Sequence, residues 1–234
     1  MLRKNWTIRF MFCLVSATLL GAGISVADGK EKSETMVSPK DALFFDSFEQ
    51  APQSPWQWIR EDPDAHRTSE KGLEIKIAQG SLMGGGRGVK NILVRPLPEE
   101  AKFVSVHVSA DHKVQYEQAG MILYRDDDNY VKLVLERVGE EHNIVLVVEF
   151  DAAAKVVGKV PRPQKSASVG IEFSDGKFIV HIWDEEKHAV MGSAEFPMSP
   201  RPRVGVFTHG GEAGADRWAC FQDFGVYSEV PFDK

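Results

Sequence analysis

A cysteine pair is missing from this chain. Its two cysteines, Cys13 and Cys220, stand near opposite ends. Cys13 lies in a segment expected to be removed, and one remaining thiol cannot close an internal disulfide. Cys220 falls in the alternating stretch WACFQDFGVY, where a small buried hydrophobe is expected. The histidines (His66, His107, His112, His142, His181, His188, His209) are scattered, H-E-x-x-H is absent, and no zinc-ligand spacing occurs. There is no G-x-S-x-G, so HGG at 209–211 reads as a glycine-rich turn without a serine elbow. The glycines at 84–86 are not followed by the Gly-Lys-Ser/Thr of a phosphate loop. No long amphipathic helix and no internal repeat stand out.

The one long apolar run is N-terminal. Arg3, Lys4 and Arg9 precede FMFCLVSATLLGAGISVA, which closes on the small residues Ser25 and Ala27. That order predicts a secretory signal peptide over 1–27, cut before Asp28, with an uncleaved anchor as the alternative. Cleavage removes three cations and leaves the mature chain at −9, three below the formal −6. An acidic chain without a run of Lys and Arg longer than two disfavours nucleic acid and anionic lipid as partners. Secretion or a periplasmic location is therefore expected, with no membrane association after cleavage. Residues 28–42, polar and poor in aliphatics, read as a flexible leader.

From residue 43 to the end the chain alternates. GLEIKI sets Leu73, Ile75 and Ile77 against Glu74 and Lys76; KFVSVHVSA sets Val104, Val106 and Val108 against Ser105, His107 and Ser109. SVGIEF, KFIVHIW, RVGVFTH and FQDFGVY repeat the pattern, punctuated by Gly, Pro, Asp and Asn at mostly about 8–15 residue intervals. These features predict one all-β domain over 43–234, an antiparallel two-sheet sandwich.

RDDDN (125–129) reads as a hairpin turn, because Asp and Asn cap turns and tolerate positive φ. A turn centred on Asp127 and Asp128 sets Arg125 opposite Tyr130 and Leu123 opposite Lys132. That register collects Ile122, Tyr124, Val131, Leu133 and Leu135 on a core face. Met121, Leu123, Arg125, Tyr130, Lys132, Val134 and Glu136 fall on the other. A face that is apolar yet carries two charges fits a semi-enclosed concave cleft. Tyr130, Lys132 and Glu136 are its candidate ligand residues, with Gln118 at the head of the hairpin. In NILVR, Asn91 and Arg95 point the same way as Leu93 and join the candidates.

FFDSFEQ, WQWIREDPDAHR, LEI, NILVR, EQAGMILYRDDDNYVKLVLE and RVGVFTHGG…WACFQDFGVY follow one another in an order that resembles a known family. It is the concanavalin A-like jelly roll of the β-xylosidase C-terminal type, within a family of secreted domains of unknown function. The resemblance implies two curved antiparallel sheets with a concave face. It also implies that Trp58, Arg60, Glu61, His66 and Arg67 sit at the cleft mouth, and that Asp46 and Asp223 near the chain ends are the place to look for calcium. No other cofactor is expected. In relatives attached to glycoside hydrolases the domain accompanies a separate catalytic propeller, for which these 234 residues leave no room.

Three functions follow as expectations. The leading one is a non-catalytic domain binding carbohydrate or a similar polar ligand on the concave face. The second is a small glycoside hydrolase or lyase with carboxylates among Glu61, Glu117 and Glu136; hydrolysis needs two carboxylates about 5–10 Å apart. EFDAAA places Ala154 where the E-x-D-x-x-E pattern of sandwich glucanases has its second glutamate. The third is a structural or interaction domain of the cell surface. Protein partners are not legible.

Overall fold

The computed structural model describes residues 38–174, 176–184 and 187–232. The expected signal peptide, and the expected leader up to residue 37, lie outside the described residues. A 3-10 turn, Pro39–Asp41, is capped by Ser38 and leads into the first strand one residue earlier than expected; a second 3-10 turn, Pro63–Ala65, comes later in the chain.

Fifteen strands follow in chain order: β1 Ala42–Asp46, β2 Gln57–Ile59, β3 His66–Ser69, β4 Gly72–Lys76, β5 Ile92–Pro96, β6 Phe103–Ala110, β7 Gln118–Asp126, β8 Asn129–Val138, β9 Glu141–Phe150, β10 Ala153–Pro161, β11 Ser166–Ser174, β12 Lys177–Trp183, β13 His188–Glu195, β14 Arg203–His209 and β15 Trp218–Tyr227. Sheet A runs β13-β12-β11-β6-β15-β4-β3, with β1 also on β15; sheet B runs β10-β9-β8-β7-β14-β5-β2. Every pairing is antiparallel.

The period-two pattern sets the core. Leu73, Ile75, Val104, Val106, Val108, Val169, Ile171, Phe178, Val180 and Ile182 of sheet A face Met121, Leu123, Val131, Leu133, Ile144, Leu146, Val204 and Val206 of sheet B in one buried cluster. On β15 the alternation changes phase at a bulge, where Asp223 takes φ 51. Ala219 and Phe221 before it, and Phe224 and Val226 after it, therefore all reach the core. Cys220 falls on the outer side instead, half-buried, its thiol donating to Lys71 O at 2.9 Å, which corrects the expectation of a core cysteine.

The β7–β8 hairpin turns at Asp127-Asp128 as expected, with Asp126 opposite Asn129. Asp126 Oδ1 accepts from Asp128 N and Asn129 Nδ2. A bulge at Arg125 then shifts the register by one, so that Tyr124 meets Tyr130, Ile122 meets Lys132 and Met121 meets Leu133. The expected grouping on β7 is thereby corrected. Met121 and Leu123 are core residues, while Ile122 and Tyr124 share the outer face with Tyr130, Lys132 and Val134. One inserted residue exchanges the two faces of a strand because its side-chain period is two.

Candidate functional site

The outer face of sheet B is covered rather than open. The segment between β4 and β5 crosses it. Leu82 and Val89 from that segment are buried with Ile92, Val94, Ile122, Tyr124, Tyr130, Val134, Val145, Val147 and Phe207. Its glycine turn is pinned from below: Glu149, fully buried on β9, accepts from Gly84 N and Gly85 N at 3.0 Å each, and from Tyr130 Oη at 2.6 Å. Both glycines have positive φ, which lets two successive amides point at one carboxylate. Arg87 makes a bidentate pair with Asp128, and Arg60 donates to Val89 O and to both oxygens of Asp127. The aspartates of the hairpin turn thus anchor the covering segment.

At the end of the sheet, Asn143, Glu136, Gln118 and His209 stand directly opposite one another across β9, β8, β7 and β14. Gln118 donates from Nε2 to Glu136 Oε1 at 2.7 Å, which fixes its amide orientation. His209 Nε2 lies 2.6 Å from Gln118 Oε1, a contact satisfied when that nitrogen carries the proton. Lys132 reaches His209 Nε2 at 3.1 Å with no exposed surface of its own. Burial lowers Lys132 to about 8; burial and the nearby Lys132 lower His209 to about 3. Burial also raises Glu136, an effect that Gln118 and Lys132 oppose. Gly210, at φ +84, leaves room for Tyr116 O against the end of β14, and the Tyr116 ring is 56% exposed just ahead of Gln118.

The structure brings four of the candidates together, Gln118, Tyr130, Lys132 and Glu136, and disperses the rest. Trp58 packs against the core and stacks on His66 at 4.2 Å; His66 Nε2 lies 3.0 Å from exposed Glu61. Arg67 is on sheet A, paired with Glu74 and over the Trp218 ring at 4.2 Å. Asn91 holds the loop after β2, accepting from Asp62 N at 2.7 Å and donating to Asp62 O. Asn91 and Arg95 were grouped with Leu93, and Leu93 is a core residue. Arg95 lies over the Phe44 ring at 3.2 Å; burial lowers it to about 10, while Asp46 opposes the shift. The carboxylates of the hydrolytic alternative keep separate partners: Glu61 with His66, Glu136 with Gln118, and buried Glu117 with Arg217 and the amides of Lys113 and Val114. Asp46 spends its oxygens on Trp56 Nε1 and Phe48 N. Among the described residues no three His, Cys, Asp or Glu side chains gather to hold a metal ion, and no helix is long and apolar enough to cross a membrane.

Sequence reasoning missed Glu149 and His209 as members of this centre. Alternation along RVGVFTH carries His209 to the same face as Phe207, so that signal was present. The role of Glu149 depends on amides 64 and 65 residues away, which no local pattern encodes.

A groove of about 330 Å³ opens beside the covering segment, lined by Asp62, Lys76, Gln79, Lys90 and Glu212, with Ala and Gly filling the remainder. Gly211 N donating to Ala78 O and Gly210 N donating to Gly80 O tie its two walls beside His209.

A two-sheet antiparallel sandwich of this topology is a concanavalin A-like jelly roll. The chain belongs to the DUF1349 family of proteins of unknown function, whose pattern matches residues 84–218. No curated protein matches the chain. Its fold is similar to the GH43 BlXynB protein from Bacillus licheniformis, with a TM-score of 0.71 and 20% identity over 82% of this chain and 40% of that one. It is also similar to the bifunctional GH43-CE protein of Bacteroides eggerthii (0.68, 17%, 81% and 26%). A functionally unknown protein from Saccharomyces cerevisiae matches at 0.61 and 15% identity over 76% of this chain and 98% of that one. The chain spans less than half the length of these two GH43 proteins.

Proposed function

We propose that the chain is an exported, non-catalytic carbohydrate-binding domain whose ligand lies in the groove bounded by Asp62, Lys76, Gln79, Lys90 and Glu212. The lining carries the proposal. It sets carboxylates, ammonium groups and an amide among small alanine and glycine residues, with Lys90 bound to Asp62 at 2.9 Å. Such polar groups can bond a ligand rich in hydroxyls. The fold shared with GH43 proteins supports a sugar, and the N-terminal pattern supports export. The buried centre of Gln118, Lys132, Glu136, Glu149 and His209 positions the walls and leaves ligand contact to the groove. Calorimetry with soluble xylo- and arabino-oligosaccharides at millimolar concentration tests this reading. Binding that weakens at least fivefold in Gln79→Ala and Glu212→Ala supports it; no heat from any oligosaccharide overturns it. Mass spectrometry of exported protein beginning at Asp28 tests the processing.

A further inference from the structure

A second polar centre lies where β6 leaves sheet A and β9 enters sheet B. His112 follows β6 and is fully buried, and neither of its ring nitrogens has a hydrogen-bond partner. His142, the second residue of β9, has its Nε2 buried and equally unpartnered. The two ring centroids are 5.6 Å apart with the planes tilted by 31°. Buried polar nitrogens are ordinarily paired, so orphaned nitrogens on two neighbouring rings call for a partner that one nitrogen of each could share.

Water is a poor candidate, because these nitrogens have no surface that a water-sized sphere can touch. An ion bonded at about 2.0–2.1 Å fits where water at hydrogen-bonding distance does not. Two imidazoles on one such ion carry their centroids about 3.2 Å from it, and at about 100–125° between the bonds the centroids stand roughly 4.9–5.7 Å apart. The observed separation falls within that range. We propose that His112 and His142 form a two-histidine site for a late first-row divalent cation of the zinc, nickel or copper class. Imidazole suits these ions, with copper(II) bound most tightly.

The surroundings permit the charge. Lys113 and Lys165 are both bound to Asp111, Arg137 to Glu140, and Arg217 to Glu117 and Glu212. Each of these cations is thus engaged by a carboxylate, Lys113 and Lys165 sharing Asp111. Burial, with some help from His142, lowers His112 to about 4, so protons compete little for its lone pair at neutral pH. The partly exposed His142 gives the ion a way in.

The test uses tag-free protein, titrated calorimetrically with zinc, nickel and copper(II) chlorides. One equivalent is expected, tightest for copper, with affinity falling at least tenfold in His142→Ala and in His112→Gln. His142 is the less buried of the two, so its variant keeps the measurement interpretable should His112→Gln unfold; circular dichroism checks both. The ring nitrogens of both histidines should shift together in nitrogen-15 spectra on adding zinc. Absence of binding, or affinity unchanged in His142→Ala, overturns the site. So does binding lost only in His188→Ala, which would move the ion to the His181–His188 pair, whose nitrogens lie 2.8 Å apart.

Discussion

Replacing Glu149 by alanine should do more damage than any exposed charge on the molecule. The carboxylate collects Gly84 N, Gly85 N and the Tyr130 hydroxyl with no exposed surface. In Glu149→Ala the two amides regain water only if the covering segment lifts, which exposes Leu82 and Val89 at about 1.5–3 kcal/mol each. If the segment stays, both amides are left buried and unpaired, at about 1–3 kcal/mol per group. The Tyr130 hydroxyl is orphaned in either case. Both routes converge on a loss of about 3–5 kcal/mol, with the less costly one taken. Urea denaturation reads the total. Hydrogen exchange at the Gly84 and Gly85 amides tells the routes apart, since lifting accelerates exchange there while burial without a partner leaves it slow. Glu149→Gln should lose about 1–3 kcal/mol, because one amide N–H now faces a donor. A Glu149→Ala protein within about 0.5 kcal/mol of the parent, with unchanged exchange at both glycines, would refute the anchoring role.

Lys132→Met should cost about 3–5 kcal/mol in urea denaturation, because it removes a buried ammonium and leaves the Glu136 and Glu149 carboxylates beside it without that cation; a neutral or stabilised variant would show that the ammonium is not required. Met121→Ala should cost about 2–5 kcal/mol as a core truncation, and Arg125→Ala under about 1 kcal/mol; equal costs would sink the shifted register. Stability should fall on acidification from pH 6.5 towards 4. The folded values of His209 (about 3) and His112 (about 4) lie below the ordinary 6.5, so in that window the unfolded chain binds protons that the folded chain refuses. Each histidine removes about 2 kcal/mol by pH 5, partly offset by the raised Glu136 and Asp223. Urea midpoints that stay flat between pH 7 and 5 would contradict this.

Strand positions and the core of sheet A were legible because alternation is a local code: Val104, Val106 and Val108 face inward as their spacing demands. The hairpin at Asp127-Asp128 was legible for the same reason, since turn chemistry resides in the turn residues themselves. The bulge at Arg125 was not. It accommodates the strands to one another and leaves no mark in composition, yet it decides which side of β7 sees the core. Lys132 and Glu136 landed on the expected face of β8, while β7 turned over beneath them.

That single inserted residue also explains why a polar centre survives without solvent. With Ile122 and Tyr124 on the outer face, β7 adds apolar surface beside Tyr130 and Val134, and Leu82 and Val89 can seat there. The register that alternation alone predicts would have put Arg125 on that face, next to Tyr130 and within reach of Glu149. Instead Arg125 packs over Phe196 and donates to Pro197 O, and Glu149 is left to bind the glycine amides. Closure of the sheet B face follows from the bulge, and closure moves the candidate ligand position from the strands to the groove at their edge. The sequence led to a semi-enclosed ligand cleft on this face; the chain's own segment covers it instead, with Tyr130 and Lys132 buried beneath.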